Sequence, residues 1–237
     1  LPAYRVPMSS RTAKGTPSVQ LLPIPREEQI TSIVSVESFD NDRYLLMLTE
    51  AGFIKRTPLS AFSKIRSNGL IAINLEEGDA LTWVRLSKEG DSVLIGSSKG
   101  MTIHFRLDIN ELRPLGRTAR GVKSMNIKNG DKLVSMDVLT SNLVEQIANL
   151  DDDNDENDEN ENEKEIAVNS SKGPWVLVAS AFGLGKRVPV TQFRLQKRAG
   201  MGLKAIKFRI KDDSLVGLKV LGEGEELIFV TERGVIV

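Results

Sequence analysis

Apolar and polar positions alternate along this chain in short bursts that recur. Four stretches share one pattern: YLLMLTEAGFIKRTPLSAF at 44–62, DSVLIGSSKGMTIHFRLDI at 91–109, WVLVASAFGLGKRVPVTQF at 175–193 and ELIFVTERGVIV at 226–237. Each runs apolar, then small or polar, then a glycine, then a second short run. A glycine between two such runs predicts a tight β-hairpin, because glycine accepts the positive φ that the turn demands. The hairpin glycines are Gly52, Gly100, Gly183 and Gly234, at intervals of 48, 83 and 51 residues.

Each full unit then continues with a basic loop ending in glycine, in RSNG (66–69), RTARG (117–121) and RAGMG (198–202); RTAKG (11–15) is an earlier copy. An alternating stretch follows, then an acidic turn closed by Asp79, Asp131 or Asp213. Two residues later Leu81, Leu133 or Leu215 opens a last apolar strand. The three aspartates read as turn residues, and Trp83 and Trp175 read as core. A period near fifty residues, with β-branched runs and no sustained helical periodicity, predicts all-β, propeller-like blades of four strands. The units fall at 43–86, 91–138 and 174–220, with partial units at 1–36 and 225–237. The long interval holds a surplus segment at 139–173.

Composition sharpens this picture. There is no cysteine and one histidine, which removes thiolate chemistry and the common Cys/His zinc sites. The formal charge of zero hides two opposed parts: residues 151–165 (DDDNDENDENENEKE) carry a net −9, and the rest of the chain a net +9. Such an acidic tract is expected to be disordered. No apolar run approaches the ~20 residues that span a bilayer, so no membrane partner is expected. The basic body suggests a polyanion.

The cations recur at two places in the unit. After the hairpin glycine come Lys55 and Arg56, then His104 and Arg106, then Lys186 and Arg187; in the second loop come Arg11 and Lys14, Arg66, Arg117 and Arg120, then Lys197 and Arg198. Repeats place equivalent residues on equivalent parts of a rim, which gives a curved row of charge suited to phosphates. His104 is expected on the surface. The loop glycines are expected to let backbone N–H groups approach phosphate.

The motifs GFIKRTPLSAF (52–62), RSNGLIAINLEEGD (66–79), RPLGRTARGVKSM (113–125), GKRVPV (185–190) and YRVPMSSRTAKG (4–15) together resemble the blades of the gyrase A C-terminal domain family. The resemblance covers the chain outside the insert. It implies a β-pinwheel that binds and wraps duplex DNA without sequence preference, supporting ATP-dependent negative supercoiling by a type II topoisomerase. This stretch would not itself be an enzyme. Catalytic residues, ATP and magnesium would lie elsewhere in the holoenzyme, so no cofactor and no metal site are expected here. Partners would be duplex DNA, the gyrase B subunit, and the rest of the gyrase A subunit, in an A2B2 assembly. The chain reads as a piece of a longer protein. The family's glycine- and arginine-rich box is expected before Leu1, with QKRAGMG (196–202) as a later echo. Location would be the nucleoid of a bacterium, or a plastid or mitochondrion, which the Asn- and Asp-rich insert favours. The alternatives are a propeller-like protein-interaction module, whose acidic insert recruits a basic partner, and the equivalent domain of topoisomerase IV.

Overall fold

The computed structural model describes residues 1–25, 28–65, 69–143, 145, 173–222, 224–231 and 234. The acidic tract 151–165, Arg66 and most of the 139–173 segment lie outside the described residues. Each of the three full repeat units forms an antiparallel hairpin flanked by a third strand. In the first unit β1 (Arg43–Thr49) pairs with β2 (Phe53–Pro58) on one side and with β3 (Leu81–Lys88) on the other. The second unit repeats this with β4 (Ser92–Ser97), β5 (Met101–Arg106) and β7 (Leu133–Leu139), joined by β6 (Val122–Lys123) in between. The third has β8 (Trp175–Ser180), β9 (Gly185–Pro189) and β11 (Leu215–Leu221), with β10 (Leu203–Lys204) between β9 and β11 in sequence. The hairpin glycines Gly52, Gly100 and Gly183 take φ of 89°, 78° and 81°, as the sequence pattern demands.

The fourth strand of a sheet comes from the next unit. Strand β6 pairs with β2 (Phe53↔Lys123, Ile54↔Val122), giving the order β3-β1-β2-β6. Strand β10 pairs with β5 (Leu203↔Thr102, Lys204↔Met101), giving β10-β5-β4-β7. The third sheet has the order β11-β8-β9 among the described residues. Consecutive blades are therefore stitched together by exchanged strands as well as by side-chain packing.

The packing follows the period-2 patterning. Leu46, Leu48 and Ile54 of the first sheet meet Val93, Ile95, Ile103 and Phe105 of the second in one core. Leu94 and Leu139 meet Val176, Val178, Leu215 and Leu218 in another. Here the second sheet has a glycine in mid-strand: a Cβ on Gly96 would lie 2.6 Å from Leu218 Cδ1. A third cluster covers the free face of the first sheet with Leu59, Phe62 and Ile73. Trp175 is core, as expected, and Trp83 packs half-buried against the first core.

Strands β3, β7 and β11 form the edges that draw together toward one axis. Asp137 of β7 accepts Lys219 Nζ of β11 at 2.9 Å and stands 3.9 Å from Arg85 Nε of β3. It also accepts the Val220 backbone N–H at 2.9 Å. One buried carboxylate thus joins three blades. The exchanged strands β6 and β10 lie at the opposite edge of their sheets, on the outer rim.

Each expected turn aspartate pins the hairpin of its own blade. Asp79 Oδ1 accepts Ala51 N–H, Asp131 Oδ1 accepts Lys99 N–H and Asp213 Oδ1 accepts Phe182 N–H, at 2.9, 2.9 and 3.1 Å. Burial alone would raise the carboxyl of Asp131. Hydrogen bonds from Ser97, Lys99, Ser98 and Lys132 outweigh it and hold the group below the usual carboxylate range. Asp213 is lowered in the same way, against burial, by bonds from Ser180, Phe182, Ser214 and Ala181.

Candidate nucleic-acid interface

The outer rim is built by the two loops that lead into the exchanged strands, 112–121 and 193–202. Each crosses from its own unit onto the hairpin of the preceding one. Leu115 N–H donates to Arg56 O at 2.8 Å and Ser124 N–H to Gly52 O at 2.9 Å. One blade further on, Gln196 N–H donates to His104 O at 2.7 Å and Ala205 N–H to Gly100 O at 2.8 Å. The loop glycines make this crossing possible. A Cβ on Gly121 would sit 2.7 Å from Ile54 O, and one on Gly202 2.6 Å from Thr102 O, at φ of 103° and 79°. At Gly121 and Gly202 the missing Cβ is what permits close approach to the neighbouring strand.

Two of the cations expected to contact phosphate are buried. Lys55 and Arg56 are both 0% exposed. The Lys55 ammonium donates to the carbonyls of Gly116 (2.9 Å), Arg117 and Ala119 (3.0 Å) in the loop above it. Burial pushes its pKa down to about 8. Arg56 donates from Nε to Leu112 O and from one terminal nitrogen to Leu107 O (2.8 Å) and Glu89 (2.7 Å). Its guanidinium stacks 4.6 Å from the centre of the Tyr44 ring. The expectation that these two serve as rim contacts is corrected: each cation satisfies carbonyls that the crossing loop would otherwise leave buried and unpaired.

His104, expected on the surface, is likewise buried. It occupies the repeat position of Arg56, with Nδ1 2.6 Å from Phe193 O and Nε2 2.8 Å from Ser92 Oγ. Burial lowers its pKa, opposed by the bond to the Phe193 carbonyl and reinforced by Arg106. The neutral ring therefore donates to Phe193 and accepts from Ser92.

The remaining nominated cations divide. Arg120 lies over the Phe53 ring at 3.6 Å and pairs with Glu76. Arg198 donates from Nε to Glu111 O at 3.0 Å and from a terminal nitrogen to Lys123 O at 2.6 Å, tying one rim loop to the next. Arg117 is half-buried, whereas Arg11, Lys14, Arg106, Lys186, Arg187 and Lys197 are exposed. Arg187 stacks 4.4 Å from the Trp175 ring, the counterpart of Arg56 over Tyr44, but without a loop above it among the described residues.

Four rim cations escaped the sequence reading. Arg113 and Arg194 begin the two rim loops, and Lys123 and Lys204 lie on the exchanged strands; all four are exposed. Each pair is separated by 81 residues. That shared interval was the available signal.

Antiparallel blades fanned about an axis, linked by exchanged rim strands that carry recurrent cations, define a propeller-type repeat domain of the β-pinwheel kind. The model of the DNA gyrase C-terminal domain, beta-propeller family matches residues 1–37, 43–88, 91–140 and 174–221, and the chain belongs to that family. It is 56% identical over 238 residues to the A subunit of DNA gyrase from Synechocystis sp., across 100% of this chain and 28% of that protein. It is 39% identical over 242 residues to the chloroplastic/mitochondrial DNA gyrase A subunit of Arabidopsis thaliana, across 99% of this chain and 24% of that protein. The chain thus spans about a quarter of the length of these curated relatives. Among solved structures, the C-terminal domain of a DNA topoisomerase IV superposes with a TM-score of 0.72 at 25% identity, covering 94% of this chain and 60% of that one. A DNA gyrase A C-terminal domain superposes with a TM-score of 0.71 at 24% identity, covering 95% and 64%.

Proposed function

We propose that this chain holds duplex DNA by its backbone along the outer rim and bends it around the blades. In this reading it is the wrapping element of a gyrase A subunit, which works with the B subunit in ATP-dependent negative supercoiling; the catalytic residues, ATP and magnesium sites lie outside this chain. Its setting would be a bacterial nucleoid or a plant organelle, since relatives of both kinds share its sequence. The observation that carries the reading is the recurrence of exposed cations on successive rim loops, Arg113 and Arg194, Lys123 and Lys204, with the exposed Lys197 and the half-buried Arg117 beside them. Cations spaced along a curved rim neutralise successive phosphates of a bent duplex. Their contacts must offset a bending cost on the order of 1–6 kcal/mol per 20–30 bp.

Salt titration tests the contacts. If those six side chains each meet one phosphate, log K should fall against log[salt] with a slope of about −5. The pair K123A and K204A should flatten that slope by about 1.8. An unchanged slope would remove this rim from the interface. Wrapping is read separately, by religating nicked circles in the presence of the protein: a handed shift in linking number is expected, and none would mean binding without a turn.

A further inference from the structure

The loop that carries Arg113 and Arg117 is shaped from beneath by a residue of the preceding blade. Lys55 gathers three carbonyls of one short turn, those of Gly116, Arg117 and Ala119, onto a single ammonium group. Three carbonyl oxygens brought to one point repel one another, and the ammonium group offsets that repulsion with charge-assisted bonds. The side chain of Lys55 is 0% exposed, so it cannot reach solvent or a phosphate itself. Arg56 adds a fourth carbonyl, Leu112 O, immediately before Arg113.

Stacking the blades does not require this charge. In the next blade Ile103 stands at the position of Lys55, with its side chain in the apolar core between the first and second sheets. A Cβ on Gly200, the counterpart of Ala119, would meet Ile103 Cδ1 at an ordinary 3.7 Å. An aliphatic side chain therefore lies under the equivalent crossing loop, and burying an ammonium there is the costlier solution. What Lys55 supplies and Ile103 cannot is a set of three hydrogen bonds to the loop above.

Taking the rim as a DNA surface, we propose that Lys55 is a positioning residue: it fixes where Arg113 and Arg117 present their charge to the duplex without touching it. The sequence of one blade thereby sets the phosphate geometry of the next.

The test is a double-mutant cycle in the full-length protein that carries this chain, with anisotropy of a linear duplex of mixed sequence as the readout. K55I imports the residue that stands at this position in the next blade. It is expected to weaken DNA binding about tenfold, the scale of one lost charge-assisted contact. R113A/R117A should weaken binding at least as much. The combined variant should bind no more weakly than R113A/R117A alone, because Lys55 then has nothing left to position. Binding by K55I within twofold of wild type overturns the proposal, as do effects that multiply in the combined variant. If R113A/R117A itself binds like wild type, the DNA reading of this loop fails and the proposal goes with it, an outcome distinct from failure of K55I alone. A melting curve checks that each variant folds. Should K55I not fold, K55M enters the same cycle under the same criteria.

Discussion

Replacing Gly202 by alanine probes the tightest point of the blade-to-blade crossing. Gly202 has a φ of 79°, and its missing Cβ would lie 2.6 Å from Thr102 O and 2.9 Å from Met125 Cε. The left-handed backbone alone costs a residue with a Cβ about 1–2 kcal/mol. The contact with Thr102 is with backbone, so it is relieved only by lifting the chain off β5. That motion strains the two-residue ladder Leu203↔Thr102 and Lys204↔Met101, and the Ala205 N–H to Gly100 O bond of 2.8 Å beyond it. Losing two such bonds costs roughly 1–3 kcal/mol at about 0.5–1.5 each. The total expected for G202A is about 2–5 kcal/mol, reduced slightly by the stiffer unfolded chain. Gly78 is the control, with φ of 81° and nothing within 4 Å of its absent Cβ, so G78A should show the backbone part alone. Urea unfolding of both variants measures the difference, and amide exchange at Leu203 and Lys204 reports whether β10 has lifted. Equal losses for G202A and G78A, with protection retained at those amides, would refute the close crossing.

Two further outcomes follow from the buried charges. D137A should lose about 1–3 kcal/mol, because it orphans the buried Val220 N–H, while Lys219 and Arg85 are exposed enough to return to water. D137N keeps an acceptor for that N–H and should melt close to wild type; equal losses for the two would mean that charge rather than hydrogen bonding matters at the axis. Lys55, lowered from 10.5 to about 8 by burial, binds its proton less tightly folded than unfolded. Stability from this group should therefore rise as pH climbs from about 8 to 10.5, by up to roughly 3 kcal/mol, and be absent below pH 8. Denaturant unfolding of wild type and K55M across that window should diverge in this sense, and parallel curves would contradict it.

The hairpins were legible because each depends on a local signal: period-2 alternation on either side of a glycine that must adopt positive φ. The turn aspartates were legible for a similar reason, although their carboxylates reach further than a turn, to the hairpin of the same blade. The partners of β6 and β10 were not legible. A two-residue strand has no pattern from which to read a register, and its pairing is decided by where the loop crosses. Lys55 and Arg56 were misread because a Lys-Arg pair beside a hairpin looks like a solvated edge. The correcting signal lay in the repeats themselves. The position of Lys55 is filled by Ile103 in the next unit, and that of Arg56 by His104, a substitution pattern suited to an enclosed site. The same comparison picks out the rim. Arg113 with Arg194 and Lys123 with Lys204 keep their charge between the second and third units, as residues facing a polyanion need to do.

Recurrent charge in this fold therefore has two physical meanings, and the direction of the neighbouring carbonyls separates them. At Lys55 and Arg56 the crossing loop turns its carbonyls inward, and a buried cation satisfies several of them at once. At Lys186 and Arg187 the same residue types stand exposed, because among the described residues no loop crosses β9. A cation at that repeat position is thus a carbonyl receptor whose exposure depends on what lies over it, whereas Lys123 and Lys204 stand exposed on the crossing strands themselves. The basic excess of the folded body cannot be equated with its charge toward DNA. Part of it is consumed in joining blade to blade, and only the part carried on the crossing loops and exchanged strands remains for the duplex. A rim made in this way couples its two tasks, since the segment that closes each interface is also the segment that displays the charge.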